Sequence, residues 1–182
     1  MKLALAHPPA FEPGADWRYS NTGYLLAGML IEQVTGHSYG DEIRHRIVGP
    51  LGLRRTSVPV AAMEIRGPHA RGYARPGKDA PLKDITALNS TVAGPSGAMI
   101  SSGADFKRFL GALLRGKLLA PTQLHETMRT CPTGDPGGGA YGLGLESHPL
   151  PCGGLAWGHE AASPATGPRA APRQTAGRPR PW

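Results

Sequence analysis

The stretch Pro13-Gly14-Ala15-Asp16-Trp17-Arg18-Tyr19-Ser20-Asn21-Thr22-Gly23-Tyr24 runs directly into an apolar pattern that stops at Thr35-Gly36. Tyr24, Leu25, Gly28, Met29, Ile31 and Val34 recur at helical spacing, and a glycine after the last turn is the usual C-terminal stop. A helix must therefore begin close to Asn21. A tyrosine two residues before an asparagine at the mouth of a helix sets a phenol beside a side-chain amide, which can move a proton and read an amide group. The structural alternative is that Ser20, Asn21 and Thr22 serve only to cap free N–H groups.

Further elements follow in order. Ile43 and Ile47 mark a second helix over Tyr39 to Val48, ended by Gly49-Pro50. Pro50-Leu51-Gly52-Leu53 reads as a turn that packs two leucines, and Arg54 to Asn89 as loop, with a strand piece near Arg71 to Ala74. Ser102-Gly103-Ala104-Asp105 opens a strong helix whose buried stripe is expected at Phe106, Phe109, Leu110, Leu113 and Leu114, with Asp105 where the helix dipole favours an acid. Pro121 suits the first position of another helix through Met128. Gly134 to Gly139 reads as a flexible link. Tyr141 to Leu145 and Gly154 to His159 read as two strands. Helices thus dominate the first two-thirds and strands follow, the order of an α/β (α+β) protein with a helical subdomain inserted into a sheet-containing one.

At 182 residues, 40% of them hydrophobic, the chain can bury one core. Its 26 glycines and 19 prolines are unevenly spread. Residues 160–182 hold five prolines, four arginines and one acid, with no apolar period, and are expected to be a disordered tail. That tail carries +3 of the formal +7, so the remaining charge is small and diffuse and no nucleic-acid motif accompanies it. The apolar start Met1 to Ala6 is cut short by His7-Pro8-Pro9, so no complete signal peptide is visible, and no run approaches the ~18 apolar residues of a transmembrane helix. Cys131 and Cys152 are too few for a zinc site and read either as free thiols or as one disulfide. His7, His69, His125 and His148 lack metal-ligand spacing, and no cofactor is implied.

The extended string from Phe11-Glu12-Pro13-Gly14 through Tyr19-Ser20-Asn21 to Glu32-Gln33-Val34-Thr35-Gly36 resembles the Tyr-x-Asn element of the penicillin-recognising serine hydrolases. The likeness is to the branch of D-alanyl-D-alanine carboxypeptidases, class C β-lactamases and esterases. Further words fall in the family's order. Pro50-Leu51-Gly52-Leu53 with Thr56 resembles "PLGM..T"; Ala93-Gly94 with Ser101, Ser102, Asp105 and Phe109 resembles "AG…S…D…F"; Tyr141-Gly142-Leu143-Gly144 resembles "YGLG". Gly158-His159 resembles the start of the third motif, His/Lys-x-Gly. The resemblance covers about residues 8 to 160. It implies a β-lactamase/transpeptidase-like fold, here mostly the helical subdomain plus a few strands of the antiparallel sheet (helical part about 20–130, strands about 140–159). It implies Tyr19 as general base, Asn21 as the amide that holds the substrate's acyl side chain, and His159 as the third-motif side chain. The partner it implies is a D-Ala-D-Ala peptide, a β-lactam or an ester.

The sequence departs from the family in three places. No serine is followed three residues later by lysine, so the Ser-x-x-Lys nucleophile motif is absent from these 182 residues. A tyrosine, with an ordinary pKa of about 10, needs a neighbouring cation before it accepts a proton near neutrality. Without that lysine Tyr19 is expected to stay a neutral phenol. The third motif reads His159-Glu160-Ala161, and a Cβ in place of the glycine would crowd a substrate lying along the strand. His159 reads equally as a strand-end histidine satisfied by backbone. Ser101 and Ser102 read as helix caps ahead of Asp105 rather than substitute nucleophiles. Three functions are open on these residues: a hydrolase fragment inactive alone, a non-catalytic module that captures a peptide or acyl-amide, and a basic interaction protein acting through its tail. The break in composition inside the third motif is what a shifted reading frame produces. Translating the surrounding nucleotides in the other frames should then restore a Gly-rich continuation, and its absence from every frame rejects the shift.

Overall fold

The computed structural model describes residues 6–59, 65, 67–77, 79–87, 89 and 92–159; the expected tail, 160–182, lies outside them. The described residues fall into two compact units, one built from residues up to 59 and from 89–101, the other from 65–87 and 102–159.

In the first unit the apolar run forms α1, Asn21–Thr35. Ser20 takes the N-cap position with extended backbone, although its hydroxyl caps nothing, and Gly36 ends the helix at φ 71° with its N–H donating to the Glu32 carbonyl at 2.9 Å. Helix α2, Tyr39–Ile43, starts on the Ser38 hydroxyl, which accepts from the Asp41 N–H at 3.1 Å. It continues without a break into a π-helical turn over Arg44–Val48, closed by the Gly49 N–H on the Arg44 carbonyl at 2.8 Å. The expected helix over Tyr39 to Val48 is thus present, with its second half wound more loosely.

Glu42 is buried and is held from both sides, by His37 Nδ1 at 2.8 Å and by Arg46 Nε. Hydrogen bonding from His37 first, then from Arg46, keeps its carboxyl below the usual range. Asp41 is lowered likewise, first by the Ser38 hydroxyl and then by Arg44.

Two of the sequence words meet in this unit. The turn after Pro50 buries Leu53, and Val58 beyond it is buried as well. Ser57 and Ile100 exchange both backbone hydrogen bonds, at 2.9 and 3.0 Å, as an isolated antiparallel bridge. Next to it Thr56 Oγ1 and Ser101 Oγ lie 2.9 Å apart. Ser101 is thus a partner of Thr56, while Ser102 takes the N-cap position of the helix that follows. Gly94–Ser96 forms a 3-10 turn that lays the Pro95 ring on α1 at Gly28, where an added Cβ would come within 2.4 Å of Pro95 Cγ.

The second unit opens with a small hairpin, β1 Tyr73–Ala74 paired antiparallel with β2 Lys83–Asp84. Helix α3, Gly103–Leu114, is capped by the Ser102 hydroxyl accepting from the Asp105 N–H at 3.3 Å. Its inward face is Asp105, Ala112 and Leu113, residues i, i+7 and i+8. Phe106 lies at the edge of that face, about 20° round from Leu113 at 100° per residue. It is exposed, against the expectation of a buried stripe, and leans on Phe109 with ring centroids 6.5 Å apart. Helix α4, Pro121–Met128, starts on its proline as expected.

The remaining strands, β3 Cys131–Pro132, β4 Ala140–Tyr141, β5 Glu146–Pro149 and β6 Leu155–Gly158, form a four-stranded antiparallel meander in sequence order. Gly134 to Gly139, read as a link, lies in the loop between β3 and β4, tied by Thr133 Oγ1 donating to the Gly139 carbonyl at 2.9 Å. Tyr141 to Leu145 is not a strand. Tyr141 ends β4, and the Gly142 N–H donates to the Leu145 carbonyl at 2.8 Å to turn the chain into β5. The second expected strand is β6, paired so that Trp157 faces Ser147 and Gly158 faces Glu146. Cys131 and Cys152 are both free thiols.

Two outcomes follow. Gly28→Ala gains up to about 1 kcal/mol of helix propensity but forces the Pro95 ring away, an overpacking cost of about 1–3 kcal/mol. The variant should melt lower than the parent, and Pro95→Ala added to it should recover part of the loss; a raised melting temperature would show that the contact is not tight. Because the folded carboxyl of Glu42 is depressed, its contribution is complete above its unfolded value and is lost as pH falls through the lower, folded one. Urea midpoints at pH 7 and pH 3 should differ less in Glu42→Gln than in the parent. Equal pH sensitivity in both proteins contradicts the assignment.

Candidate active site

Tyr19 and Asn21 stand at the N-terminal end of α1. The phenol Oη of Tyr19 donates to Oδ1 of Asn21 at 3.2 Å. The juxtaposition expected from their spacing is therefore present, in the first unit. Extended backbone at Ser20, φ −148° and ψ 120°, lets the chain approach the helix so that Tyr19 and Asn21 turn toward one another. Tyr24 on the first turn supports the arrangement with its ring 5.7 Å from that of Tyr19 and tilted 46°. This support was not read from the sequence, where Tyr24 counted only as part of the apolar period. The signal available was its spacing: a residue on the first turn of a helix can reach back over the segment that enters it.

The phenol remains accessible, with 45% of the Tyr19 surface exposed. In this hydrogen bond the phenol is the donor. To accept a proton it would need Asn21 rotated about its amide, so that Nδ2 donates to the phenolate instead of Oδ1 facing it. The electrostatics of the position permit negative charge. The first turn of α1 contains no acid, and the free N–H groups there present the positive end of the helix dipole.

His159 lies in the second unit, one residue beyond β6, half-buried, with its Nδ1 atom buried. Its ring meets Tyr141 edge-on, at 6.1 Å between centroids and 61° between planes. Tyr141 belongs to the YGLG word, so this word and the start of the third motif pack against each other. The glycine of that word has its own reason. A Cβ at Gly142 would lie 2.5 Å from the Thr127 carbonyl oxygen and 2.8 Å from that of Arg129, so only glycine lets the β4–β5 turn close onto the end of α4. Among the described residues no group of three or more His, Cys, Asp or Glu side chains is placed to hold a metal, and no helix is long and apolar enough to cross a membrane.

The chain is similar to known proteins in structure and in sequence. A D-stereospecific amidohydrolase from Streptomyces sp. superposes on the chain with a TM-score of 0.82 and 43% identity, over 87% of this chain and 47% of that one. The D-amino acid amidase from Ochrobactrum anthropi SV3, in its complex with L-phenylalanine amide, superposes with a TM-score of 0.70 and 32% identity, again over 87% of this chain and 47% of that one. In sequence, the penicillin-binding protein 4* of Bacillus subtilis (strain 168) is 48% identical over 48 residues, 26% of this chain and 11% of that protein. The chain thus spans less than half the length of these relatives. The fold is that of the β-lactamase/transpeptidase-like α+β proteins, represented here by helices and antiparallel strands. Residues 1–170 match the Beta-lactamase family, and the chain belongs to that family.

Proposed function

We propose that this chain supplies the Tyr19–Asn21 arm of a serine acyl-transfer site that hydrolyses amide bonds at D-configured amino acids, with β-lactams and esters as related acyl donors. Tyr19 is the base that takes the nucleophile's proton and later returns it to the leaving group. Asn21 holds the acyl side chain through its amide, and His159 offers a polar group beside the strand that carries the third motif. The observation that supports this reading is the Tyr19–Asn21 hydrogen bond at the mouth of α1. Two solved relatives are a D-stereospecific amidohydrolase and a D-amino acid amidase.

Residues 1–182 do not complete the reaction by themselves. The hydroxyl to be activated and the cation that makes a phenol basic both belong to a Ser-x-x-Lys element, and no such spacing occurs in the sequence. Ser101, with its hydroxyl on Thr56, and Ser102, capping α3, are occupied in structural roles. Mass spectrometry of the purified chain after incubation with a fluorescent penicillin should find no adduct, and D-phenylalanine amide should release no ammonia. A stable adduct on any serine would sink the inactivity. In a polypeptide that joins these residues to a Ser-x-x-Lys helix, Tyr19→Phe should lower kcat/KM by about 10²–10⁴ through kcat, the usual worth of a general base. An unchanged kcat removes Tyr19 from the reaction.

A further inference from the structure

Helix α3 carries a glycine in its interior, at a position where alanine would favour the helix. The space that Gly111 leaves is taken by a cation. Arg115, one turn on, folds back so that its Nη1 and Nη2 lie 3.1 and 3.3 Å from the point where a Cβ at Gly111 would stand. The guanidinium is thus laid on bare helix backbone instead of extending into water. It lines an open depression of about 600 Å³ that runs along α3. At about 100° per residue the walls of this depression sort by chemistry. Phe106 and Leu110 form one margin, Lys107 and Gly111 the middle, and Arg108 and Arg115 the opposite margin. Phe106 is 41% exposed, and all three cations are exposed. No carboxylate lines the depression, and the one acid of the helix, Asp105, is buried on its far side. Among the described residues neither Lys107 nor Arg115 forms an ion pair, whereas Arg44, Arg46 and Arg129 each do.

We propose that this face of α3 binds an amphipathic carboxylate, a free molecule with one anionic end and an apolar body. Arg115 meets the carboxylate, because a guanidinium presents paired N–H groups that match its two oxygens. Lys107 and Arg108 strengthen the local positive potential around it. Phe106 and Leu110 cover the apolar body, and burial of that body adds the affinity that an exposed ion contact lacks by itself. The sign of the ligand follows from three cations with no acid among them. Its shape follows from their arrangement. An apolar margin on one side and cations on the other suit an anion with a tail, whereas a polyanion calls for cations on both sides. The guanidinium sits at the level of Gly111, five residues and about 7.5 Å along the axis from Phe106, so a ligand that uses both is longer than acetate. The site belongs to the second unit and does not depend on the roles proposed for Tyr19 and Asn21.

The test titrates the full 182-residue chain with decanoate, below its micelle concentration, by calorimetry. One molecule should bind per chain, and acetate and decyltrimethylammonium should each bind at least tenfold more weakly. Arg115→Gln and Phe106→Ser should each weaken decanoate at least tenfold, while Lys83→Gln, at an exposed site on β2, should not. Gly111→Glu is the sharper variant. A glutamate four residues before an arginine pairs with it along a helix, so this substitution should also weaken decanoate at least tenfold while the circular dichroism is kept. Should that variant fail to fold, Arg115→Gln decides, since its side chain is exposed. Equal affinity for acetate, decanoate binding indifferent to Arg115→Gln, or several molecules bound per chain would each overturn the inference, the last by showing adsorption to basic side chains at large. Capture by phosphatidylglycerol vesicles without binding of monomeric decanoate would overturn it too, and make an anionic bilayer the partner.

Discussion

The Pro95 ring lies on the bare backbone of Gly28, and this contact seats α1 in its unit. A methyl group at that point would displace the helix by an appreciable fraction of an ångström, because Pro95 is held in a 3-10 turn and cannot swing aside as a flexible side chain would. The turn in turn is anchored a few residues on, where Ile100 pairs with Ser57 and Ser101 with Thr56. The geometry at the mouth of α1 is therefore the end of a chain of short-range packing constraints. A hydrogen bond between two exposed side chains, as at Tyr19 and Asn21, is worth little by itself. It is kept by the rigidity of the helix start and by the Tyr24 ring beneath it.

Much of this was legible because the decisive residues obey local rules. A glycine past the last apolar turn marks the end of α1, a proline marks the start of α4, and a serine three residues before an aspartate N–H caps α3. The phenol–amide pair at α1 was legible for the same reason, since two residues flanking a helix N-terminus are close whatever the rest of the chain does. The sheet was less legible. Strand β5, Glu146-Ser147-His148-Pro149, has no apolar alternation, and it exists because β4 and β6 pair on its two sides. The YGLG word, with its aromatic and leucines, looks like a strand. It is a turn because Gly142 is pressed against the carbonyls that end α4. Phe106 was misread for a related reason: an apolar residue next to the buried face of a helix is counted with it by periodicity, while only packing decides which side of the boundary it takes.

The ion pairs around α2 show where charge is used for structure and not for chemistry. Glu42 is buried with His37 and Arg46 on its two oxygens, a fully partnered carboxylate that fixes the junction between α2 and the π-helical turn. Its depressed pKa has a complete structural cause, so the perturbation carries no functional signal. At the mouth of α1 the situation is reversed: an accessible phenol and an amide, no acid in the first turn, and the positive end of a 15-residue helix.

The direction of the Tyr19 hydrogen bond bears on the chemistry proposed for it. A phenol donates to Oδ1 of Asn21 here, whereas a phenolate in the same place would face a carbonyl oxygen at hydrogen-bond distance. Acting as a base calls for the Asn21 amide to rotate so that it donates, and for a cation beside the phenol to favour the phenolate. On the proposed reading a single Ser-x-x-Lys element provides the cation and the hydroxyl at once. An acyl side chain competing for Oδ1 and Nδ2 gives the amide its reason to turn. Base strength and substrate binding would then be coupled through one side chain, so that Tyr19 becomes reactive only when Asn21 is engaged with its ligand. A resting site of this kind spends little on a charged phenolate exposed to water, which is the physical advantage of pairing the base with the group that reads the substrate.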